Sequence, residues 1–136
     1  MLIHSRNIRI QWGDCDPMGI VFFPRYFAIF DDSTSLLFER ALGITKFELI
    51  QRERFSGFPL VAIRAKFLIP SRFGDDVVVE SGVSEFRRSS FDVQHRLLRA
   101  EELALECLET RVWTFKDAEG RMKGVPIPEE IRAKFA

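Results

Sequence analysis

Residues 24–42 form one long segment in which apolar side chains surround almost the whole helical circumference. Pro24 suits the first turn of a helix, and Gly43 suits the position just past its end. A helix that is apolar nearly all round is buried. The sequence therefore predicts a buried central helix, with Asp31 among its few charged residues. The apolar positions are Tyr26, Phe27, Ile29, Phe30, Leu36, Leu37, Phe38, Ala41 and Leu42.

The rest of the chain has mainly the pattern of strands. Ahead of the helix, Ile8, Ile10 and Trp12 alternate with polar residues, which is typical of a half-buried strand. The sequence TKFE at 45–48 is a capping box that opens a short second helix to about Glu53. Further along, the pattern predicts a loop at 56–59, strands over 61–67, 77–86, 91–100 and 103–117, turns at 74–76, 101–102 and 118–120, and a terminal helix over 128–135.

One buried helix and one long antiparallel sheet must bury each other. The 14 phenylalanines among 136 residues supply aromatic surface for a core, a pocket or a subunit interface. The length fits one domain, and no linker or repeat interrupts it. We therefore expect an α+β fold in which the sheet wraps around the helix, as a single domain of residues 1–136. Exposed sheet edges need cover, and a dimer that joins two sheets edge to edge would supply it.

Charge and composition exclude several functional classes. The net charge is zero, so no global field attracts nucleic acid or an anionic membrane. No apolar run approaches the roughly 18 residues of a membrane-spanning helix, and the N-terminus lacks the apolar core of a signal peptide. His4 and His95 are too isolated to form a metal site. We expect a cytoplasmic protein with free thiols at Cys15 and Cys107, no metal or organic cofactor, and no nucleic-acid or membrane partner.

The stretch WGDCDPMGIVFFPRYF, residues 12–27, places two carboxylates at the mouth of the apolar helix. Asp14 and Asp16 are either solvated turn residues, or at least one of them serves chemistry. A helix N-terminus presents unpaired N–H groups and a partial positive charge. Because Pro24 has no N–H, the donor would be Phe23 or a neighbour. A carboxylate beside an N–H that polarises a carbonyl is the arrangement of a hydrolytic site.

This stretch resembles the signature of the 4-hydroxybenzoyl-CoA thioesterases of the hotdog fold, which runs roughly G-D-x-D-x-x-G-x-V-x-x-x-x-Y. EFRRSSF at 85–91 is similar to the W-R-R-x-S-F segment of the same family. The resemblance covers nearly the whole chain, because element order and length also fit. It implies the helix-wrapped sheet inferred above, a coenzyme A thioester substrate, and a homodimer or a dimer of dimers, which is a homotetramer. The matching residues of the signature are Gly13, Asp14, Asp16, Gly19, Val21 and Tyr26.

The resemblance also implies roles for residues around the signature. Asp16 is the catalytic carboxylate, and the backbone N–H of Phe23 polarises the thioester carbonyl. Gly19 provides a backbone conformation or a close approach that a larger residue would not allow. Asp14 is a structural cap or a turn acceptor rather than a reacting group.

Binding of the two ends of the substrate is implied in the same way. Arg87, Arg88 and Ser90 bind the phosphates of coenzyme A, which suit guanidinium forks and hydroxyl donors. Ser89 stands where the family is expected to have a lysine. Asp31 accepts a hydrogen bond from the ring hydroxyl of a 4-hydroxybenzoyl group. The alternative is that Asp31 faces solvent or a subunit seam.

Phe47 and Phe58 are implied to line the aryl pocket, at positions where the family has a tryptophan and a threonine. The sequence therefore predicts an acyl-CoA thioester hydrolase that acts on 4-hydroxybenzoyl-CoA or a related aryl-CoA, with Asp16 as nucleophile or general base. One rival is a short-chain acyl-CoA thioesterase of the Tol–Pal-associated type. Those enzymes commonly have a histidine shortly after the catalytic aspartate, where this chain has Pro17, Met18 and Gly19. A second rival is a non-catalytic acyl-CoA-binding hotdog protein, against which the intact Asp16 argues.

Overall fold

A five-stranded antiparallel sheet and one long helix make up most of the molecule, of which the computed structural model describes residues 1–52 and 55–136. The strands are β1 (His4–Arg9), β2 (Phe55–Gly57), β3 (Leu60–Phe67), β4 (Asp76–Phe86), β5 (Ser90–Arg99), β6 (Glu102–Val112), β7 (Thr114–Lys116) and β8 (Met122–Gly124). The helices are α1 (Phe23–Leu42), α2 (Lys46–Arg52) and α3 (Glu129–Ala133). The large sheet has the order β1-β4-β5-β6-β3, and a small second sheet has the order β2-β7-β8.

Helix α1 has the predicted extent but not the predicted burial. It begins at Phe23, and Gly43 ends it in a left-handed conformation with φ 74°, which glycine adopts without steric cost. Phe23, Ala28 and Asp31 are exposed. The prediction of a helix buried nearly all round is therefore wrong for the single chain, because the sheet covers one side of α1 only. The buried positions are Tyr26, Phe30, Ser33, Thr34, Leu37 and Phe38.

The core between α1 and the sheet consists of two apolar clusters. One contains Phe30 of α1 with Val79 and Leu97 of the sheet, and the other contains Leu37 with Val83 and further residues. A layer of buried polar side chains lies between the two clusters. Helix α1 and strands β4, β5 and β6 each contribute to it. We call this layer the polar belt; its members are Thr34 of α1, Ser81 of β4, His95 of β5 and Glu109 with Arg111 of β6.

Several strand boundaries differ from the prediction. Strand β1 ends at Arg9, and Trp12 lies exposed in a single 3-10 turn, where its ring packs edge-on against Phe73. The predicted strand over 103–117 is broken at Trp113, because the Trp113 N–H donates to the carbonyl of Ser89 rather than along a strand pair. The loop predicted at 56–59 is wrong in its first half. Strand β2 there pairs with β7, although Gly57 and its neighbours carry turn chemistry.

The short second helix is confirmed. The Glu48 N–H donates to the Thr45 hydroxyl at 3.0 Å, and the Thr45 N–H donates to the Glu48 carboxylate at 3.2 Å, which is the predicted capping box. Glu53, where this helix was expected to end, lies outside the described residues. Of the helices in the described part of the chain, none has the length and apolarity that crossing a bilayer requires.

Candidate active site

Asp14 fastens the loop before α1 to the first turn of that helix. Its carboxylate accepts the Gln11 N–H at 2.8 Å and the Arg25 guanidinium at 2.9 Å and 3.1 Å. Its carbonyl oxygen accepts the Phe22 N–H at 2.8 Å. With its carboxylate almost fully buried and paired, Asp14 has the structural role that the sequence predicted.

Asp16 lies in a tight loop that is closed by an antiparallel β-bridge between Cys15 and Val21. The Asp16 N–H donates to the carbonyl of Ile20, and one carboxylate oxygen, Oδ1, accepts the Met18 N–H at 2.9 Å. Within the described residues, the other oxygen has no hydrogen-bond partner. The loop turns at Gly19, whose φ of 80° agrees with the predicted need for glycine. The side chain is therefore oriented through one oxygen and half-exposed.

Phe23 begins α1 five residues after Met18, and its N–H is one of the helix-terminal donors that have no acceptor within the helix. No acceptor on residues 1–52 or 55–136 takes it. The neighbouring N–H groups of Val21 and Phe22 are both used, by Ser71 and Asp14. A cavity of about 210 Å³ opens beside this end of the helix; it is lined by Ile20, Val21, Phe23, Tyr26, Phe67, Leu68, Ile69 and Pro70.

A second cavity brings together two of the predicted acyl-binding residues. Asp31 and Phe58 both line a groove of about 350 Å³, together with Lys46 and Arg111. The Arg111 guanidinium donates to Asp31 Oδ1 at 2.8 Å, and Lys46 Nζ lies 4.5 Å from the centre of the Phe58 ring. We call this cavity the α2 groove. Phe47 is not in its lining and is largely exposed; the remaining lining residues are Ile50, Ser56, Gly57, Pro59, Leu60 and Met122.

Of the predicted nucleotide-binding residues, Arg87 and Arg88 lie in the turn between β4 and β5, and Ser90 is the first residue of β5. Arg87 is committed to intramolecular partners: its guanidinium contacts Asp92 at 2.7 Å and 3.1 Å, Glu85 at 3.0 Å and the Ser90 hydroxyl at 2.8 Å. Arg88 is exposed, and its side chain has no partner among the described residues. A phosphate would thus bind Arg88 without displacing another group, whereas at Arg87 it would compete with the carboxylates of Asp92 and Glu85.

Comparisons with known proteins agree with this architecture. A model of the thioesterase-like superfamily matches residues 10–135. The chain belongs to the thioesterase-like superfamily. Among relatives of this thioesterase, the 4-hydroxybenzoyl-CoA thioesterase of Pseudomonas sp. (strain CBS-3) is 31% identical over 128 residues, which are 90% of this chain and 89% of that protein. The acyl-CoA thioesterase YbgC of Haemophilus influenzae is 27% identical over 131 residues, 96% of this chain and 93% of that protein.

Solved structures of thioesterases have the same fold. A 4-hydroxybenzoyl-CoA thioesterase in complex with 4-hydroxybenzoyl-CoA superposes with a TM-score of 0.91 at 26% identity, over 98% of this chain and 99% of that one. A gentisyl-coenzyme A thioesterase gives 0.84 at 28% identity, over 98% of this chain and 100% of that one. The predicted α+β hotdog fold, the predicted family and the prediction of a thioesterase are confirmed.

In this thioesterase the polar belt continues from the α2 groove into the core. The Thr34 hydroxyl donates to Glu109 Oε1 at 2.5 Å, and His95 Nε2 lies 3.0 Å from the same oxygen. The other ring nitrogen, Nδ1, is 2.7 Å from the Ser81 hydroxyl. Arg111 donates to both carboxylate oxygens of Glu109, at 3.1 Å and 2.9 Å. The sequence offered either a core or a surface position for His95, and the structure shows a core histidine.

The charged members of the belt stabilise each other. Burial raises the pKa of Glu109, but hydrogen bonds from His95, Arg111 and Thr34 outweigh it and lower that pKa to about 2. Burial lowers the pKa of Arg111, and the carboxylates of Glu109 and Asp31 more than restore it, so that the net shift is upward. Lys46, which lines the α2 groove and is not part of the belt, has a lowered pKa, because burial outweighs the opposing effect of the nearby Asp31.

Lys46 and Arg111 line the α2 groove and Glu109 holds Arg111, and the sequence predicted none of the three as candidate site residues. A signal for two of them exists: alternate residues of a strand share a face, so Glu109 and Arg111 lie on the same face as Cys107 and Trp113. Two charges of opposite sign on an apolar strand face indicate a buried pair. Lys46 carries no such signal, since a lysine in the first turn of a short helix is ordinarily solvated.

Proposed function

We propose that this thioesterase hydrolyses aryl-CoA thioesters, with 4-hydroxybenzoyl-CoA as the preferred substrate. The observation that carries the proposal is the α2 groove, whose lining combines the Asp31 carboxylate held by Arg111 with the aromatic residue Phe58. An aromatic wall next to a fixed hydrogen-bond acceptor suits a phenol better than an aliphatic chain. The 31% identical relative named 4-hydroxybenzoyl-CoA thioesterase supports the same substrate class.

Asp16 and the Phe23 N–H are the proposed catalytic groups. The N–H would hold the carbonyl oxygen as negative charge develops on it, aided by the positive end of α1. As a nucleophile, Asp16 would form an acyl anhydride as the C–S bond breaks and the thiolate of coenzyme A leaves; water would then release the acid. As a general base, it would take a proton from the attacking water. The similar structure solved with 4-hydroxybenzoyl-CoA carries an Asp-to-Asn substitution, which is consistent with a catalytic aspartate.

Coenzyme A is proposed to bind at the β4–β5 turn, and the exposed Arg88 is the residue best disposed to meet a phosphate. Arg87 and Ser90 stay in the proposal, with Arg87 either binding directly or shaping the turn through Asp92. Gly19 would leave room for the thioester, and Phe47 would face the acyl end from α2. A cytoplasmic location is proposed because acyl-CoA is an intracellular substrate and both cysteines are free thiols.

The assembly is proposed to be a homodimer, and a dimer of dimers beyond it, of chains that each act as one domain over residues 1–136. Strand β3 is an edge of the large sheet, and three of its large apolar residues, Leu60, Val61 and Phe67, are exposed. Such an edge invites pairing with a second copy.

A thiol-release assay over a panel of acyl-CoA thioesters tests the substrate proposal. We expect kcat/KM for 4-hydroxybenzoyl-CoA to exceed that for benzoyl-CoA, because a site built to bond a hydroxyl leaves a polar group unpaired without it. The preference should collapse in Asp31→Ala. A preference for straight short acyl chains would instead indicate the Tol–Pal-associated type, and tight binding without turnover would indicate a non-catalytic binding protein.

A further inference from the structure

The ion pair between Asp31 and Arg111 joins an exposed group to a buried one. The Asp31 side chain is 62% exposed, whereas that of Arg111 is 4% exposed. An exposed carboxylate usually samples several rotamers, and a pair between two exposed groups contributes little. Here one partner is inside the protein, so the direction in which Asp31 is held depends on how rigidly Arg111 itself is held.

Hydrogen bonds fix the orientation of the Arg111 guanidinium. Besides Asp31, its guanidinium donates from Nε and Nη2 to Glu109 and from Nη1 to the carbonyl oxygen of Phe58 at 3.1 Å. Glu109 is fixed in turn by Thr34 and His95. All three nitrogens of the planar fork are therefore engaged, and Nη2 donates both to Glu109 and to Asp31, which lines the α2 groove.

We propose that Glu109 and Arg111 are positioning residues for recognition of the acyl group, an inference that rests on the proposed aryl-CoA substrate. Arg111 takes Oδ1 of Asp31, and within the described residues Oδ2 has no partner. The pair thereby presents Oδ2 as a hydrogen-bond acceptor to a ring hydroxyl in the groove. Selectivity for the hydroxyl would thus depend on Arg111 in the groove lining and on Glu109, which holds Arg111 from behind the groove.

If Glu109 and Arg111 had a purely structural role, replacing them should have a different effect. Replacing a buried ion pair by apolar residues of similar volume is often neutral or stabilising, whereas removing one partner alone leaves a buried charge. The informative variant is therefore the double change Glu109→Leu with Arg111→Met. Thr34 and His95, whose Oγ1 and Nε2 are 3.1 Å apart in the native protein, can bond to each other when Glu109 is removed.

The experiment compares kcat/KM for 4-hydroxybenzoyl-CoA and benzoyl-CoA in the native protein and the double variant. We expect the ratio of the two to fall by about tenfold or more, the scale of one hydrogen bond to a charged group. The loss should appear with the hydroxylated substrate, since benzoyl-CoA has no hydroxyl to position. A matched control removes an exposed ion pair of the same sheet by Glu80→Leu with Arg96→Met, and the ratio should stay as in the native protein.

The outcomes separate the two proposals. If the native protein shows no preference for the hydroxyl, the substrate proposal fails and takes this inference with it. If the native protein shows the preference and the double variant keeps it, or loses both activities in proportion, positioning is overturned while the substrate proposal stands. Should the double variant not fold, Arg111→Lys decides. A lysine keeps the charge beside Glu109 but lacks the fork, so a lower ratio supports positioning and an unchanged ratio overturns it.

Discussion

Two aspartates separated by a single residue have different surroundings in this thioesterase. The Asp14 carboxylate is saturated by Gln11 and Arg25 and cannot react without breaking the start of α1. The Asp16 carboxylate is held through one oxygen by Met18, with the second oxygen unpaired within the described chain. A carboxylate that is oriented through one oxygen and keeps the other unpaired, in the loop that leads into α1, suits a nucleophile or a base.

Replacing Asp16 by asparagine should therefore separate chemistry from folding. The asparagine carbonyl can still accept the Met18 N–H, so the loop and the thermal stability should persist. Turnover should fall by about 100-fold or more, as is typical when a positioned base or nucleophile is lost. Asp32→Asn, at an exposed position of α1, is the matched control and should retain activity. Near-native turnover in the purified Asp16→Asn protein would remove Asp16 from the mechanism.

The two arginines of the β4–β5 turn should also behave differently. Arg88→Ala should raise KM for coenzyme A thioesters with little change in kcat, because the contact is to the non-reacting nucleotide. Arg87→Ala should in addition lower stability, because Asp92 would lose its charged partner. A pantetheine thioester, which lacks the nucleotide phosphates, serves as the comparison substrate. Equal KM increases for both substrates would argue against nucleotide binding at this turn.

At the scale of elements, the sequence predicted the features that depend on neighbouring residues alone, such as helix ends. Gly43 and the capping box at Thr45 mark helix ends through φ and side-chain bonds of neighbouring residues, and both were found where expected. Strand β2 could not be predicted, because its pairing with β7 joins residues such as Phe55 and Phe115 that are far apart in sequence. For the same reason the polar belt gave a pattern on β6 alone, while its partners on three other elements became visible only in the fold.

Helix α2 carries Lys46 and so forms one wall of the α2 groove. Thr45→Ala should destabilise the protein by about 1 kcal/mol, because the Glu48 N–H loses its acceptor. Thr45→Ser retains the hydroxyl and is the control. Urea unfolding of the three proteins measures the difference. Equal stability of the alanine and native proteins would mean that α2 is held by packing instead of its cap.

For the molecule as a whole, the polar belt predicts acid sensitivity. The pKa of Glu109 is about 2 when folded, below its ordinary value of 4.5, so ionised Glu109 stabilises the native state above pH 4.5. That contribution, on the order of 3 kcal/mol at most, is lost as pH falls from about 5 to 2. Groups that face Glu109 are Thr34, His95 and Arg111, from α1, β5 and β6. Asp92, whose pKa Arg87 lowers, acts in the same direction.

Glu109→Gln provides the comparison for this acid sensitivity. Glutamine does not ionise, so the unfolding free energy of the Glu109→Gln protein should depend less on pH below 5. The excess stability of the native protein over this variant should shrink as the solution is acidified. Urea titrations at several pH values between 2.5 and 7 measure both curves. Parallel curves would show that Glu109 does not carry the acid transition.

The two edges of the large sheet differ in character, and the difference bears on assembly. Strand β1 exposes Ser5, Asn7 and Arg9, whereas β3 exposes the large apolar residues Leu60, Val61 and Phe67 beside Arg64 and Lys66. An apolar edge left in water is an aggregation hazard unless a partner covers it, and a second copy of the chain offers the same edge in return. Dimerisation through β3 would therefore also cover Leu60, Val61 and Phe67.

Placing one charge on each edge tests this assignment. Val61→Asp should shift the mass measured by light scattering from the dimer towards the 15.8 kDa monomer, because a carboxylate at the seam would be desolvated without a partner. Asn7→Asp adds the same charge to β1 and should leave the native mass unchanged. Circular dichroism of both variants shows whether the fold persists, so that loss of the dimer is not mistaken for unfolding. A native protein that is already monomeric, or a Val61→Asp protein that keeps the native mass, would exclude β3 as the interface.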